Sequence, residues 1–203
     1  MYPLIKIIFD YLFAIFLVIF LFPLFILIVL SLFIFSNTSV FFTHKRIGKN
    51  GKFFNLYKFR TMKHSRDKIL SDYFKDHPNE KRYWEENQKL KNDPRITKIG
   101  YLLRDYSLDE LPQILNVLKG EMSFIGPRPI VETEKNKYGD RFDYYKKIKP
   151  GLSGLWQVSG RNNTTYSERI EFDCFYVKNI SFILDLKIFV KTFYVIMLKK
   201  GAY

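Results

Sequence analysis

Two adjacent carboxylates, Asp109 and Glu110, stand in the run Ser107-Leu108-Asp109-Glu110-Leu111-Pro112-Gln113. A proline is tolerated only in the first turn of a helix, so Pro112 predicts a helix beginning near Asp109. Capping is one use for such acids: Ser107 with Glu110 matches a capping box, and Asp109 is itself a good N-cap. Chemistry is the other. A carboxylate at a helix N-terminus is kept ionised by the helix dipole, which suits a nucleophile or a metal ligand. Neighbouring side chains on a helix point about 100° apart, so this pair cannot flank one glycosidic bond. It can divide labour, one acid attacking phosphorus and the other holding Mg²⁺. With no pair of cysteines and no close histidine cluster, a metal here is expected to be a hard cation bound by carboxylate and phosphate oxygens.

The cations that would serve phosphate chemistry are scattered. Gly126-Pro127-Arg128-Pro129 sets Arg128 between two prolines, whose rings stiffen the loop as a phosphate clamp requires. Arg104 lies five residues before Asp109, and Lys58 and Arg60 are two apart in an extended segment. Taken singly, each also reads as a surface charge. The loop from Pro150 to Arg161 is glycine-rich and could approach a nucleotide closely, but it has no Gly-Lys-Ser/Thr and is not a P-loop.

Several elements must position these residues. From Tyr11 to Phe35 no charge occurs. As one helix this run would be about 37 Å long, enough for a hydrocarbon core of about 30 Å. It is too long for a cleaved signal, and no small-x-small site follows it. Pro23 at its middle predicts a kink. Two topologies fit, a kinked single span or a re-entrant hairpin. The hairpin agrees with basic residues on both flanks, Lys6 before and Lys45, Arg46, Lys49 and Lys52 after. Lys6 and Asp10, four apart, can pair on one helical face.

Further along, Val40–Met62 reads as one or two short strands around Gly48 and Gly51. Residues 63–94 are polar, with a helix expected from Pro78 through Lys91. Leu111, Leu115 and Leu118 give a short amphipathic helix that stops at Gly120. Residues 181–200 form a last helix, whose charges Asp185, Lys187 and Lys191 place it on the membrane surface or in the core. These elements sum to a helix-dominated α+β fold with a few short strands. It divides into a membrane segment, residues 1–43, and a membrane-associated catalytic domain, residues 44–203.

The only charges before His44 are Lys6 and Asp10, so the whole formal charge of +13 belongs to the second part. Such a domain attracts polyanions: nucleic acid, anionic lipid or nucleotide phosphates. Its many aromatic residues suit base stacking and a membrane interface equally. Cys174 is the only cysteine, which excludes an intrachain disulfide and favours a reducing compartment.

Together these runs resemble the bacterial sugar transferases, the monotopic phosphoglycosyl transferases. The resemblance spans nearly the whole chain: the hydrophobic segment with central Pro23, Tyr57–Met62, Arg104–Gln113, Asn116–Gly120, Met122–Pro129, Lys149–Arg161 and Asp185-Leu186-Lys187. It implies transfer of a sugar-1-phosphate from a UDP-sugar to undecaprenyl phosphate, with release of UMP. By this resemblance Asp109 is the nucleophile that forms an aspartyl-phosphosugar intermediate, and Glu110 helps hold Mg²⁺. Lys58, Arg104, Arg128 and Arg161 match positions of the phosphate cradle. The hydrophobic segment becomes re-entrant, with both ends on the cytoplasmic face of the bacterial plasma membrane. One departure is Phe22, where the family often has a serine before the central proline. Leu90–Gly100 and the terminal Lys200–Tyr203 are similar to hexose-1-phosphate transferases of exopolysaccharide and O-antigen synthesis, the galactose enzymes above all. The additional N-terminal spans and further domain of those larger proteins are not seen in this sequence. Membrane lipids are expected partners and nucleic acid is not; a homodimer and the identity of the sugar are left open. Two rival classes remain, an inactive scaffold of the same fold and a membrane-tethered nucleic-acid binder.

Overall fold

The Asn50-Gly51 pair sits at positive φ (59° and 73°), which reverses the chain between two strands rich in aromatic residues. Strands β1 (Phe41–Ile47) and β2 (Phe53–Phe59) pair antiparallel, from Phe41 opposite Phe59 to Ile47 opposite Phe53. The computed structural model describes residues 2–35, 39–87, 90, 92–160 and 164–198. Among these, helices dominate and strands are few and short, the expected α+β composition.

The apolar N-terminal run forms α1 (Tyr2–Phe20) and α2 (Phe22–Phe35). The interruption falls at Leu21, two residues before Pro23. The helical ladder reaches it from both sides: Leu21 N–H donates to Leu17 O, and its own carbonyl accepts from Phe25 N–H, each at 2.8 Å. Pro23 thus lies in the first turn of α2, where its missing N–H leaves no helical hydrogen bond unmade. By length and composition α1 is the one described helix able to cross a membrane; α2 is apolar but shorter.

Both arms pack on the rest of the protein. Helix α1 inserts Phe13, Ala14 and Leu17 among Phe54 and Leu56 of β2 and the later elements α6 (Ile114–Leu118) and β3 (Ser123–Ile125). Helix α2 buries Ile28 and Leu32 against Phe59 and against Leu103 of α5 (Lys98–Asp105). Their outer faces stay bare, with Leu4, Ile8, Leu12, Ile19, Leu30 and Phe33 all exposed.

Lys6 and Asp10 do not pair with each other as their spacing suggests. Lys6 instead meets Asp185 at 2.6 Å, and Asp10 accepts from the backbone N–H of Phe124. Asp185 also accepts from the hydroxyls of Tyr2 and Tyr176. Buried acids take the partners that the tertiary fold supplies, and this overrides a pair worth only about 0.2–0.5 kcal/mol on a helix surface.

The polar stretch holds two helices where one was expected: α3 (Arg66–Asp76) and α4 (Pro78–Asn87). The expected extension of α4 to Lys91 runs outside the described residues. In α6 it is Ile114 and Val117 that are buried, while Leu115 is exposed. The inner stripe is therefore Ile114 and Val117, flanked by the partly buried Leu111 and Leu118, not the all-leucine stripe read from spacing.

The two glycine-rich loops contain a short parallel pair, β3 with β4 (Gly151–Ser153). The chain goes on through α7 (Glu132–Tyr138), α8 (Phe142–Tyr145), α9 (Leu155–Ser159), α10 (Tyr166–Lys178) and α11 (Phe182–Met197). Helix α11 buries Asp185 and Ile188 and exposes Phe182, Ile183, Leu186, Val190, Phe193, Tyr194 and Met197. At 100° per residue these seven share a stripe about 120° wide, a bare apolar face of the kind that lies in a membrane interface.

Candidate active site

Lys58 arrives at the end of β2 on the same side as Phe54 and Leu56, which anchor that strand in the core. A fully buried Asn116 fixes the strand edge. Its side chain accepts from Tyr57 N–H at 3.1 Å and donates to Asn55 O at 2.7 Å. The element carrying Asn116 follows directly on a short 3₁₀ turn, Leu108–Gln113, that holds both acids. Strand, turn and helix are thereby fixed relative to one another. Lys58 Nζ lies 2.6 Å from Glu110 Oε1 and 3.4 Å from Asp109 Oδ2.

Capping does not explain the two acids. Ser107 has left-handed φ (55°) and makes no side-chain cap, and Asp109 lies inside the turn, not at its cap. Nor does a helix dipole hold Asp109 ionised as expected. Asp109 is buried, and burial pushes its pKa up, with Glu110 adding to the rise while Lys58 and Arg104 oppose it. A long helix starting at these residues would have lowered it; a six-residue turn does not.

Arg104 reaches the site from α5. Thr97 caps that helix by accepting from Gly100 N–H at 2.9 Å, and Arg104 Nε donates to Thr61 Oγ1 at 2.9 Å. A Cβ on Gly100 would meet Thr61 O at 2.2 Å, so glycine is what allows α5 to lie against the strand end. Asp93 grips Arg95 through Nε and Nη2 just before the helix.

Arg128 follows β3, whose register with β4 is closed by Gly151 N–H donating to Pro127 O at 2.8 Å. Gly151 and Gly154 of this loop lie close against Gly126. A Cβ on Gly151 would fall 2.1 Å from Gly126 N, and one on Gly154 would fall 2.1 Å from Gly126 O. The Arg128 guanidinium lies over Trp156 at 5.6 Å, and Arg169 lies over the same ring at 5.0 Å. Beneath the loop, buried Asp173 accepts from Tyr138 Oη at 2.6 Å. Burial lifts its pKa to about 6 against the pull of Tyr138, Arg169 and Arg128.

Lys58, Arg104, Asp109, Glu110 and Arg128 all line one cleft of about 650 Å³. Arg161 lies outside the described residues. Pro23 is not among the cleft residues. Arg60, which the sequence paired with Lys58, lines it too, as do three cations that the sequence gave no reason to single out as site residues: Arg46, Lys63 and Arg66. Arg46 and Arg60 each bury an Nε without a hydrogen-bond partner among the described residues. Burial and the neighbouring Arg128 and Arg169 press the Arg46 pKa down. An excess of confined guanidinium donors calls for an anion. Elements β4, α9 and α11 add a mixed lining, apolar Leu152, Trp156, Phe193 and Ile196 beside polar Ser153, Gln157 and Thr192.

Among the described residues no group of three or more His, Cys, Asp or Glu gathers to hold a metal. The described residues therefore offer no closed cage. Mg²⁺ is commonly held by one or two carboxylates together with substrate phosphates, and Glu110 at the cleft fits that use.

Comparison with known proteins follows the same line. Residues 1–199 match the family model described as bacterial sugar transferase. The exopolysaccharide production protein ExoY of Sinorhizobium fredii is 47% identical over 96% of this chain and 86% of its own length. The undecaprenyl-phosphate galactose phosphotransferase of Salmonella typhimurium is 50% identical over 79% of this chain, but over only 34% of its own length. A UDP-glucose:undecaprenyl-phosphate glucose-1-phosphate transferase of Klebsiella pneumoniae is 37% identical over 83% of this chain and 35% of its own. The chain belongs to the bacterial sugar transferase family and is a sugar transferase.

Proposed function

We propose that the protein transfers a hexose-1-phosphate from a UDP-sugar to undecaprenyl phosphate at the cytoplasmic face of the bacterial plasma membrane, releasing UMP. The donor and acceptor classes come from the names of its relatives. The observation that carries the reading is the cleft itself: a buried Asp109 beside Glu110, Lys58 bridging both acids, guanidinium groups around them and bare apolar helices alongside.

An Asp109 carboxylate oxygen attacks the β-phosphorus of the donor, and the P–O bond to UMP breaks. The acceptor's phosphate oxygen then attacks the same phosphorus and returns Asp109 as a free carboxylate. One site thus serves a soluble and a lipid substrate in turn. Lys58, Arg104 and Arg128 hold the diphosphate oxygens, so catalysis rests on positioning and charge neutralisation. Glu110 would hold Mg²⁺, which when bound neutralises charge on the phosphates. Lys58 keeps both acids aimed into the cleft and lowers the pKa that burial raises in Asp109.

The topology is monotopic. Residues from both arms of the apolar segment bury against the same domain: Ala14 on one arm, Ile28 and Leu32 on the other. A straight span would carry one of its ends to the far side of about 30 Å of hydrocarbon. Galactose is the favoured sugar on the relatives, with glucose the close rival.

The test is UMP release by the purified full chain with Mg²⁺ across a panel of UDP-sugars, with and without undecaprenyl phosphate. The expected result is acceptor-dependent UMP from one hexose donor, with a stoichiometric burst when acceptor is omitted. No UMP from any donor, from folded protein, would favour a scaffold of the same fold.

A further inference from the structure

We infer that the cleft opens sideways at Phe193 and Ile196 of α11 onto the lipid-facing stripe, and that this opening seats the isoprenoid chain of the lipid-phosphate acceptor. The inference rests on the transferase reading above and adds where the second substrate lies.

Phe193 belongs to two surfaces at once. It lines the cleft that holds Asp109, and it is 57% exposed on the bare stripe of α11. One turn on, Ile196 lines the cleft beside it. Phe193 and Ile196 thus give the cleft an apolar edge that runs out to the bare stripe, beside Thr192, whose hydroxyl is taken up by Ile188 O and Ser153. At the inner end of that edge lie Lys58, Arg104 and Arg128. A ligand with an anionic head and a long apolar tail matches both ends. The donor, polar throughout, finds little complement in the α11 wall, whose polar lining residue Thr192 is already engaged. A phospholipid diester has only two free phosphate oxygens and a second bulky substituent, whereas a phosphomonoester offers three free oxygens to Lys58, Arg104 and Arg128. That favours a polyprenyl phosphate over bulk lipid. Phe189 holds Phe193 edge-on at 4.9 Å and itself packs edge-on against Phe13 of α1, so the wall is braced from behind.

The experiment separates the two half-reactions in full-length protein. Ile196→Trp narrows the opening, and Phe182→Ala trims the same stripe away from the cleft. For Ile196→Trp the UMP burst without acceptor should match wild type, while discharge to a C55 polyprenyl phosphate slows about tenfold or more. Discharge to a short C10 isoprenyl phosphate should change far less, and Phe182→Ala should leave every step unchanged. Equal loss with both chain lengths, or no loss with either, overturns the assignment. A readout independent of turnover is labelling of wild-type protein by a diazirine-bearing polyprenyl phosphate in vesicles. Labelled peptides should include residues 192–197, and excess phosphatidylglycerol should not compete; labelling confined to α1 and α2, or lost to phosphatidylglycerol, also overturns it. Labelling at 192–197 without UMP from any donor would instead refute the transferase reading and leave the lipid site standing.

Discussion

Asp109 and Glu110 share one lysine, so Lys58 and the two acids act as a unit and their deletions will not add. Asp109→Asn keeps the shape and removes the nucleophile. UMP release should fall by at least about a thousandfold with membrane association intact; substantial residual turnover with a normal burst would remove Asp109 from that role. Arg128→Ala should raise the donor KM roughly tenfold, as loss of one charge-assisted contact does, with the melting temperature nearly unmoved. Unchanged kinetics would take Arg128 out of the cradle. The acids stood out in the sequence because two carboxylates beside a proline are an unusual local pattern, and Arg128 because two prolines frame it. Arg46 and Arg66 did not, because a single arginine on a basic chain looks the same whether it faces solvent or a cleft. Asn116 entered only through the family resemblance: nothing local indicates that its amide will tie down a strand some sixty residues earlier in the chain.

At the scale of elements, the β3–β4 pair decides where Arg128 stands. Gly154→Ala forces a Cβ onto the backbone carbonyl of Gly126, which cannot swing aside. A loss of about 2 kcal/mol or more is expected from such overpacking, read as a lower midpoint in chemical unfolding; a variant as stable as wild type would show that the loop can yield. Asp173 under the same loop gives a pH signature. Its folded pKa, about 6, lies above the ordinary carboxylate value. Its contribution to stability is therefore complete below pH of about 4 and is lost as pH rises through about 6, amounting to about 3 kcal/mol. Asp173→Asn retains an acceptor for Tyr138 and cannot ionise. Its melting temperature relative to wild type should climb between pH 5 and pH 8, and a pH-independent gap would contradict this. Short strands around Gly48 and Gly51 were legible from their aromatic and β-branched residues, and α11 from an apolar stretch interrupted by Asp185, Lys187 and Lys191. The glycines of the loop from Pro150 announced a close backbone approach, but not that Gly126 would be the partner of Gly151 and Gly154. Helix α3 went unseen because its face buries little beyond Leu70.

At the scale of the molecule, α1, α2 and α11 leave apolar faces bare, and the proposed monotopic topology makes a two-sided prediction. In a Cys174→Ser background, a thiol at Lys52→Cys and a protease-cleavable tag ahead of Tyr2 should both react from the cytoplasmic side of inverted vesicles. Reactivity from opposite sides would restore a crossing helix. The clasp between Lys6 of α1 and Asp185 of α11 joins residues 179 positions apart. During synthesis at about 5–20 residues per second, α1 therefore leaves the ribosome on the order of ten seconds before its partner exists. In that interval Lys6 and Asp10 lie one helical turn apart with nothing else to neutralise them, and a local pair between them is the arrangement an interface permits. Emergence of α11 exchanges that pair for the tertiary one. The order of translation thus gives the apolar arms time to reach the bilayer first and lets the last helix lock them in place.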